Sequence, residues 1–115
     1  MQVRIGPEGR GITFLDSNGN GTARCGPLTS REVWHPDNAH VSVATNVSEA
    51  QCSIYVGSDP TQINFRDATY DGSTGDSTDK IGADIVGAGT FVWAVWTGGD
   101  VGSQAVLTVT GGKDI

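Results

Sequence analysis

The sequence predicts a single all-β domain, a β-sandwich of about eight short strands in jelly-roll or immunoglobulin-like order, spanning residues 1–115. Three observations point there. Seventeen glycines and four prolines punctuate short apolar runs, as in a turn-rich β domain. Several runs alternate strictly between apolar and polar residues. Helix signals are nearly absent, and the best of them, NVSEAQ at 46–51, supplies one turn at most.

In chain order, QVRI (2–5) alternates and suits a first edge strand. GITFLD (11–16) and GTARCG (21–26) follow as a second and third strand. EVWHPD carries an aromatic residue beside a proline turn. AHVSVATN (39–46) sends Ala39, Val41 and Val43 one way and His40, Ser42 and Ala44 the other. QCSIYVGS (51–58) does the same, with Cys52, Ile54 and Val56 on one face. QINFRD (62–67) is a short strand, YDGSTGDSTDK (70–80) a polar loop without core residues, and ADIV (83–86) another short strand. TFVWAVW (90–96) and QAVLTVT (104–110) make a closing hairpin across TGGDVGS.

DSNGNG (16–21) resembles a calcium loop, with oxygen-bearing side chains at alternate positions and a closing glycine. An EF-hand needs a bidentate glutamate at its twelfth position and helices on both flanks. The twelfth residue from Asp16 is Pro27, and strands flank the segment. Asn-Gly between apolar runs reads as a hairpin turn, against a weak calcium site completed by distant carboxylates. Asp71, Asp76 and Asp79 have the same two readings, and their Ser, Thr and Gly surroundings favour a solvated loop. No metal site is expected.

Other chemistry is sparse. A formal net charge of −6 with scattered basic residues argues against nucleic acid and against an anionic membrane surface. No apolar run is long enough to span a bilayer, and the first residues lack the order of a signal peptide. Cys25 and Cys52 fit one disulfide or two buried thiols; without an export signal, thiols are the expectation. His35 and His40 lack ligand spacing and read as loop residues near Pro36. Glu8, Glu32 and Glu49 are single glutamates on loops, with nothing to mark an acid–base couple. No nucleophile elbow or phosphate-binding glycine loop occurs, so neither an enzyme nor a cofactor is expected. The sequons at Asn20 and Asn46 matter only in a secreted eukaryotic protein.

The segment GTFVWAVWTGGDVGSQAVLTVTG (89–111), with VRIGP near the start, CSIYVGS in the middle and YDGSTGDSTD before it, resembles small all-β virion proteins of tailed bacteriophages of actinobacteria. These are described as minor tail proteins or head accessory proteins. The resemblance implies a structural role, other virion proteins as partners and a homo-oligomer. It also implies folding in the bacterial cytoplasm and a final place in the virion. It carries no catalytic residues.

A physical argument stands beside it. Strand 90–96 is apolar on both faces, whereas an outer strand of a lone sandwich is polar on one. Pairing Thr97 with Gln104 puts Val92, Ala94 and Trp96 on a core face with Ala105, Leu107 and Val109. Phe91, Trp93, Val95 and Val106 are left on the other side. Either a loop such as EVWHP covers those four residues, or another subunit does. A module of a different class, binding glycans through Trp34, Trp93, Trp96, Tyr55 and Tyr70, is the alternative.

Overall fold

The computed structural model describes residues 1–69 and 74–115. Among these lie nine strands: β1 (Gln2–Arg4), β2 (Arg10–Phe14), β3 (Gly21–Cys25), β4 (Val33–Val43), β5 (Gln51–Gly57), β6 (Phe65–Thr69), β7 (Thr74–Thr78), β8 (Phe91–Thr97) and β9 (Gln104–Asp114). They form two antiparallel sheets. One has the order β2-β9-β4-β7, with β1 beside the far end of β9; the other has the order β3-β8-β5-β6.

The pairings follow a simple rule. β2 pairs with β9, β3 with β8, β4 with β7 and β5 with β6, as in one long hairpin folded between β5 and β6. Rolling that hairpin up adds the β4–β9 and β5–β8 ladders. The result is the jelly-roll order, which decides between the two sandwich topologies that strand count leaves open.

Alternation then builds the core. Ala39, Val41 and Val43 of β4 and Ala105, Leu107 and Val109 of β9 point inward from one sheet. Cys52, Ile54 and Val56 of β5 and Val92, Ala94 and Trp96 of β8 meet them from the other. Trp34 and Trp96 are the largest fully buried side chains, and burying each large apolar side chain is worth roughly 1.5–3 kcal/mol. Edge strands β2 and β3 close one side of the sandwich at a glycine. A Cβ on Gly11 would stand 2.5 Å from the carbonyl oxygen of Arg24, so only a bare backbone permits this approach.

Several expectations need correction. β8 and β9 are not a hairpin: they lie in opposite sheets and face each other across the core, although their inward faces are those that alternation assigns. β2 and β3 likewise lie in different sheets, so DSNGNG is a corner between layers. Within it only Gly19 has positive φ (75°), and its backbone packs on Gly99, whose N–H donates to the Gly19 carbonyl at 2.9 Å. Asp16 Oδ1 accepts the N–H groups of Asn18 (2.8 Å) and Asn20 (3.0 Å). Those two bonds hold its carboxyl below the ordinary range, Asn20 contributing more.

Pro36 does not turn the chain. β4 runs on through it: Pro36 stands opposite Gly111, and because the Trp34 N–H two residues earlier points away from β9 to the Val86 carbonyl, the ladder asks no N–H of the proline; the register shifts only after it, between Pro36 and Asn38. His35 and His40 are therefore strand residues. Part of the supposed polar loop is strand β7, and its Thr78 is buried opposite Ala39. Tyr70 and Asp71 lie outside the described residues. Segment 83–86 is not a strand; only Val86 pairs, in a single bridge with Trp34.

Candidate interaction surface

The outer face of the β3-β8-β5-β6 sheet is built by register. Where β8 runs between β3 and β5, Trp93 stands opposite Arg24 on one side and Tyr55 on the other, and Tyr55 stands opposite Phe65. One level along, Phe91 stands opposite Gly57, and Val95 lies between Thr22 and Ser53. Every inward residue of these strands fixes its neighbours outward, so a row of Phe65, Tyr55 and Trp93 crosses β6, β5 and β8 and ends on Arg24 of β3.

The row is ordered. Phe91 and Trp93 meet edge to face with centroids 5.7 Å apart, as do Tyr55 and Phe65 at 5.7 Å. The Trp93 indole N–H donates to the Gly57 carbonyl at 3.0 Å, which fixes the ring. Arg24 lays its guanidinium over Phe91 (4.2 Å to the centroid) and over Trp93 (5.2 Å). Tyr55, Phe65, Phe91, Trp93 and Val95 are all half-buried.

Of the four residues expected to form one patch, Phe91, Trp93 and Val95 share this face and Val106 does not. Val106 is on the outer face of the opposite sheet, between Ile12 and Ser42. The cause is the absence of a β8–β9 ladder. EVWHP does not cover Trp93 either, because Trp34 belongs to the core. Phe65 and Arg24 were not singled out from sequence, and Tyr55 only as part of a glycan platform with Trp93. The alternation of 51–58 already turns Tyr55 outward, but nothing local says that β5 and β3 flank β8.

A groove of about 280 Å³ opens beside this face at the β2–β3 seam, lined by Glu8, Arg10, Arg24, Gly26, Pro27, Leu28, Phe91 and the edge of Cys25. Behind it, Lys113 donates to Glu8 and, at 2.9 Å, to Glu32, and Thr29 donates to Glu32 at 3.2 Å. The structure thus unites two glutamates that read as unrelated loop residues. Their shared lysine holds the Glu8 carboxyl down at about 2 and that of Glu32 below its ordinary range. The same bonds, Glu32 first, raise the Lys113 ammonium.

Cys25 and Cys52 are buried thiols not joined in a disulfide, on opposite flanks of β8 opposite Val92 and Trp96. Burial pushes both thiols up to about 12, so they stay neutral near pH 7. His35 Nε2 meets Asp114 Oδ2 at 2.8 Å across the β4–β9 ladder. Among the described residues no three His, Cys, Asp or Glu side chains converge on a common point. The carboxamide oxygens of both sequon asparagines accept backbone N–H groups, from Gly98 for Asn20 and from Ala50 for Asn46. No family model matches the chain, and no curated protein or solved structure is significantly similar to it.

Proposed function

We propose that the protein is a non-enzymatic structural component of a bacteriophage virion, a minor tail protein that contacts other virion proteins through the outer face of its β3-β8-β5-β6 sheet. The observation that carries the contact is the half-buried row of Phe65, Tyr55, Trp93 and Phe91 on that face. Aromatic residues flanked by an arginine are the usual anchors of protein interfaces. The virion setting rests on the sequence resemblance, and jelly rolls recur in virion proteins as a fold-level analogy only. Quantifying the chain in purified particles tests it. A few to a few dozen copies fit the tail, hundreds would move the protein to the head as a decoration protein, and none would end the virion reading.

Glycan binding is the second reading, supported by the outward-facing Trp93 and Tyr55. It has lost Trp34 and Trp96, which are buried in the core. A glycan array with a positive signal that disappears in Trp93→Ser, from a protein that stays monomeric, would favour it over assembly.

A further inference from the structure

We infer that the groove at the β2–β3 seam is a binding site for a carboxylate carried on a small apolar body, with Arg10 and Arg24 as its anion-holding residues. The inference does not depend on the virion reading, since a monomer with no place in a particle would bind the same group.

The site comes from the way the roll closes. Gly11 lets β2 lie directly on the backbone of Arg24, which brings the outward side chain preceding it, Arg10, to the same opening as Arg24. Each belongs to a different sheet, so the pair exists only in the folded jelly roll. Among the described residues, neither guanidinium has a carboxylate partner; the paired cations are His35, Arg66, Lys80 and Lys113. Arg4 and Arg31 have no ion pair among the described residues either; what sets Arg10 and Arg24 apart, in a chain of formal net charge −6, is that both line one groove.

Arg24 is also positioned. Its guanidinium rests on Phe91 and Trp93, so part of the entropy of holding a ligand is already lost, while among the described residues no carboxylate pairs with its N–H edges. Such a planar fork suits a carboxylate.

Charge and size narrow the ligand. Arg10, Arg24 and Lys113 stand against Glu8 and Glu32, and Glu8 is held by Lys113 and the Gly6 N–H. One unit of positive charge remains, which suits a monoanion better than a phosphate dianion. The groove falls just short of the roughly 300–1,000 Å³ of drug-sized sites, and Pro27, Leu28 and Phe91 give it an apolar side. Leu28 is 75% exposed, a large apolar side chain that a bound apolar group would cover.

The test is a titration of the isotope-labelled protein, followed by backbone amide NMR, with three probes: benzoate, benzyl alcohol and inorganic phosphate. Benzoate should shift the amides of residues 10, 24–26, 28 and 91 saturably, while benzyl alcohol leaves them in place and phosphate binds more weakly. Arg24→Gln and Arg10→Gln should each weaken benzoate about tenfold, as expected for loss of a charge-assisted hydrogen bond. Both side chains are exposed, so both variants should fold, and their spectra show whether they do. Three outcomes would overturn the inference: no benzoate shift at this seam, benzyl alcohol binding as well as benzoate, or unchanged affinity in both arginine variants.

Discussion

The two outer faces of the sandwich are made by the same rule and end differently. On the β2-β9-β4-β7 sheet, Asn38, His40 and Ser42 of β4 and Thr108 and Thr110 of β9 look outward, a polar set on the two central strands. Its apolar members, Ile12, Phe14 and Val106, gather toward edge strand β2. On the β3-β8-β5-β6 sheet, Phe91, Trp93 and Val95 of β8 and Tyr55 of β5 look outward beside Gln51 and Ser53, and the rings are held in two edge-to-face pairs and by an indole hydrogen bond. Both sheets bury one face equally well, so folding alone does not ask for the second apolar face. The excess apolar surface is therefore the part of the molecule that stability leaves unexplained.

The widest gap between inside and outside should appear on β8 itself. Trp96 is fully buried, and Trp96→Ser should cost about 3–5 kcal/mol, a large share of the roughly 5–15 kcal/mol that holds a domain together. Trp93→Ser removes one hydrogen bond, one edge-to-face pair and one of the two rings under Arg24, and should cost about 1–2 kcal/mol, leaving a folded chain with weaker association. On the opposite face, His40→Ser should stay within about 0.5 kcal/mol. Thermal melts and sedimentation of the three variants read the series. A Trp93→Ser protein that melts as low as Trp96→Ser would make the aromatic row a second core.

The seam between the sheets comes next. Gly11→Ala drives a methyl group into the Arg24 backbone and should cost about 1–3 kcal/mol, because neither strand can move without breaking its ladder. Denaturant melts give the number. Amide exchange should show the loss concentrated at 10–14 and 21–25, with the β5–β8 ladder protected as before.

The contrast between the faces was half legible in the sequence. The period-two pattern assigned the inward residues of β4, β5, β8 and β9, since local geometry alone sets that alternation. Partners were not legible, because every outer pairing of the roll joins segments from opposite halves of the chain, and a turn such as TGGDVGS looks the same whether it makes a hairpin or crosses between sheets. β7 read as a loop because an edge strand of Thr, Gly, Asp and Ser has a loop's composition. The groove takes residues 8, 10, 24–28 and 91 and the ion network adds 32 and 113, so no spacing rule finds either.

Thiol chemistry separates the core side of β3 and β5 from their outer side. In native protein a thiol reagent should modify Cys25 and Cys52 slowly, since both are buried and neutral. In denaturant without reductant both should react at once. Native-state labelling as fast as denatured labelling would mean that the aromatic sheet opens readily.

The remaining effect is electrostatic, and it belongs to the end of β9. Lys113 faces inward beside Trp34, and Glu8 and Glu32 close over it with side chains only 14% and 10% exposed. Glu8 titrates at about 2 in the folded protein against 4.5 ordinarily, so its contribution is complete above about pH 4.5 and is lost as pH falls toward 2. Glu32 is shifted the same way and adds to that slope, while the raised Lys113 contributes at every pH below its own ordinary range. Stability measured by denaturant melts should therefore fall with acid across this window. In Lys113→Met the two carboxylates lose their shared cation, and the acid slope should flatten or reverse, because protonation then relieves their repulsion. The aromatic face carries no carboxylate in its ring contacts, so Trp93 fluorescence should hold steady in acid until the whole domain unfolds. A Lys113→Met protein with the wild-type acid slope would show that other carboxylates, such as Asp16 and Asp100 in the loops at the opposite end, govern the acid response.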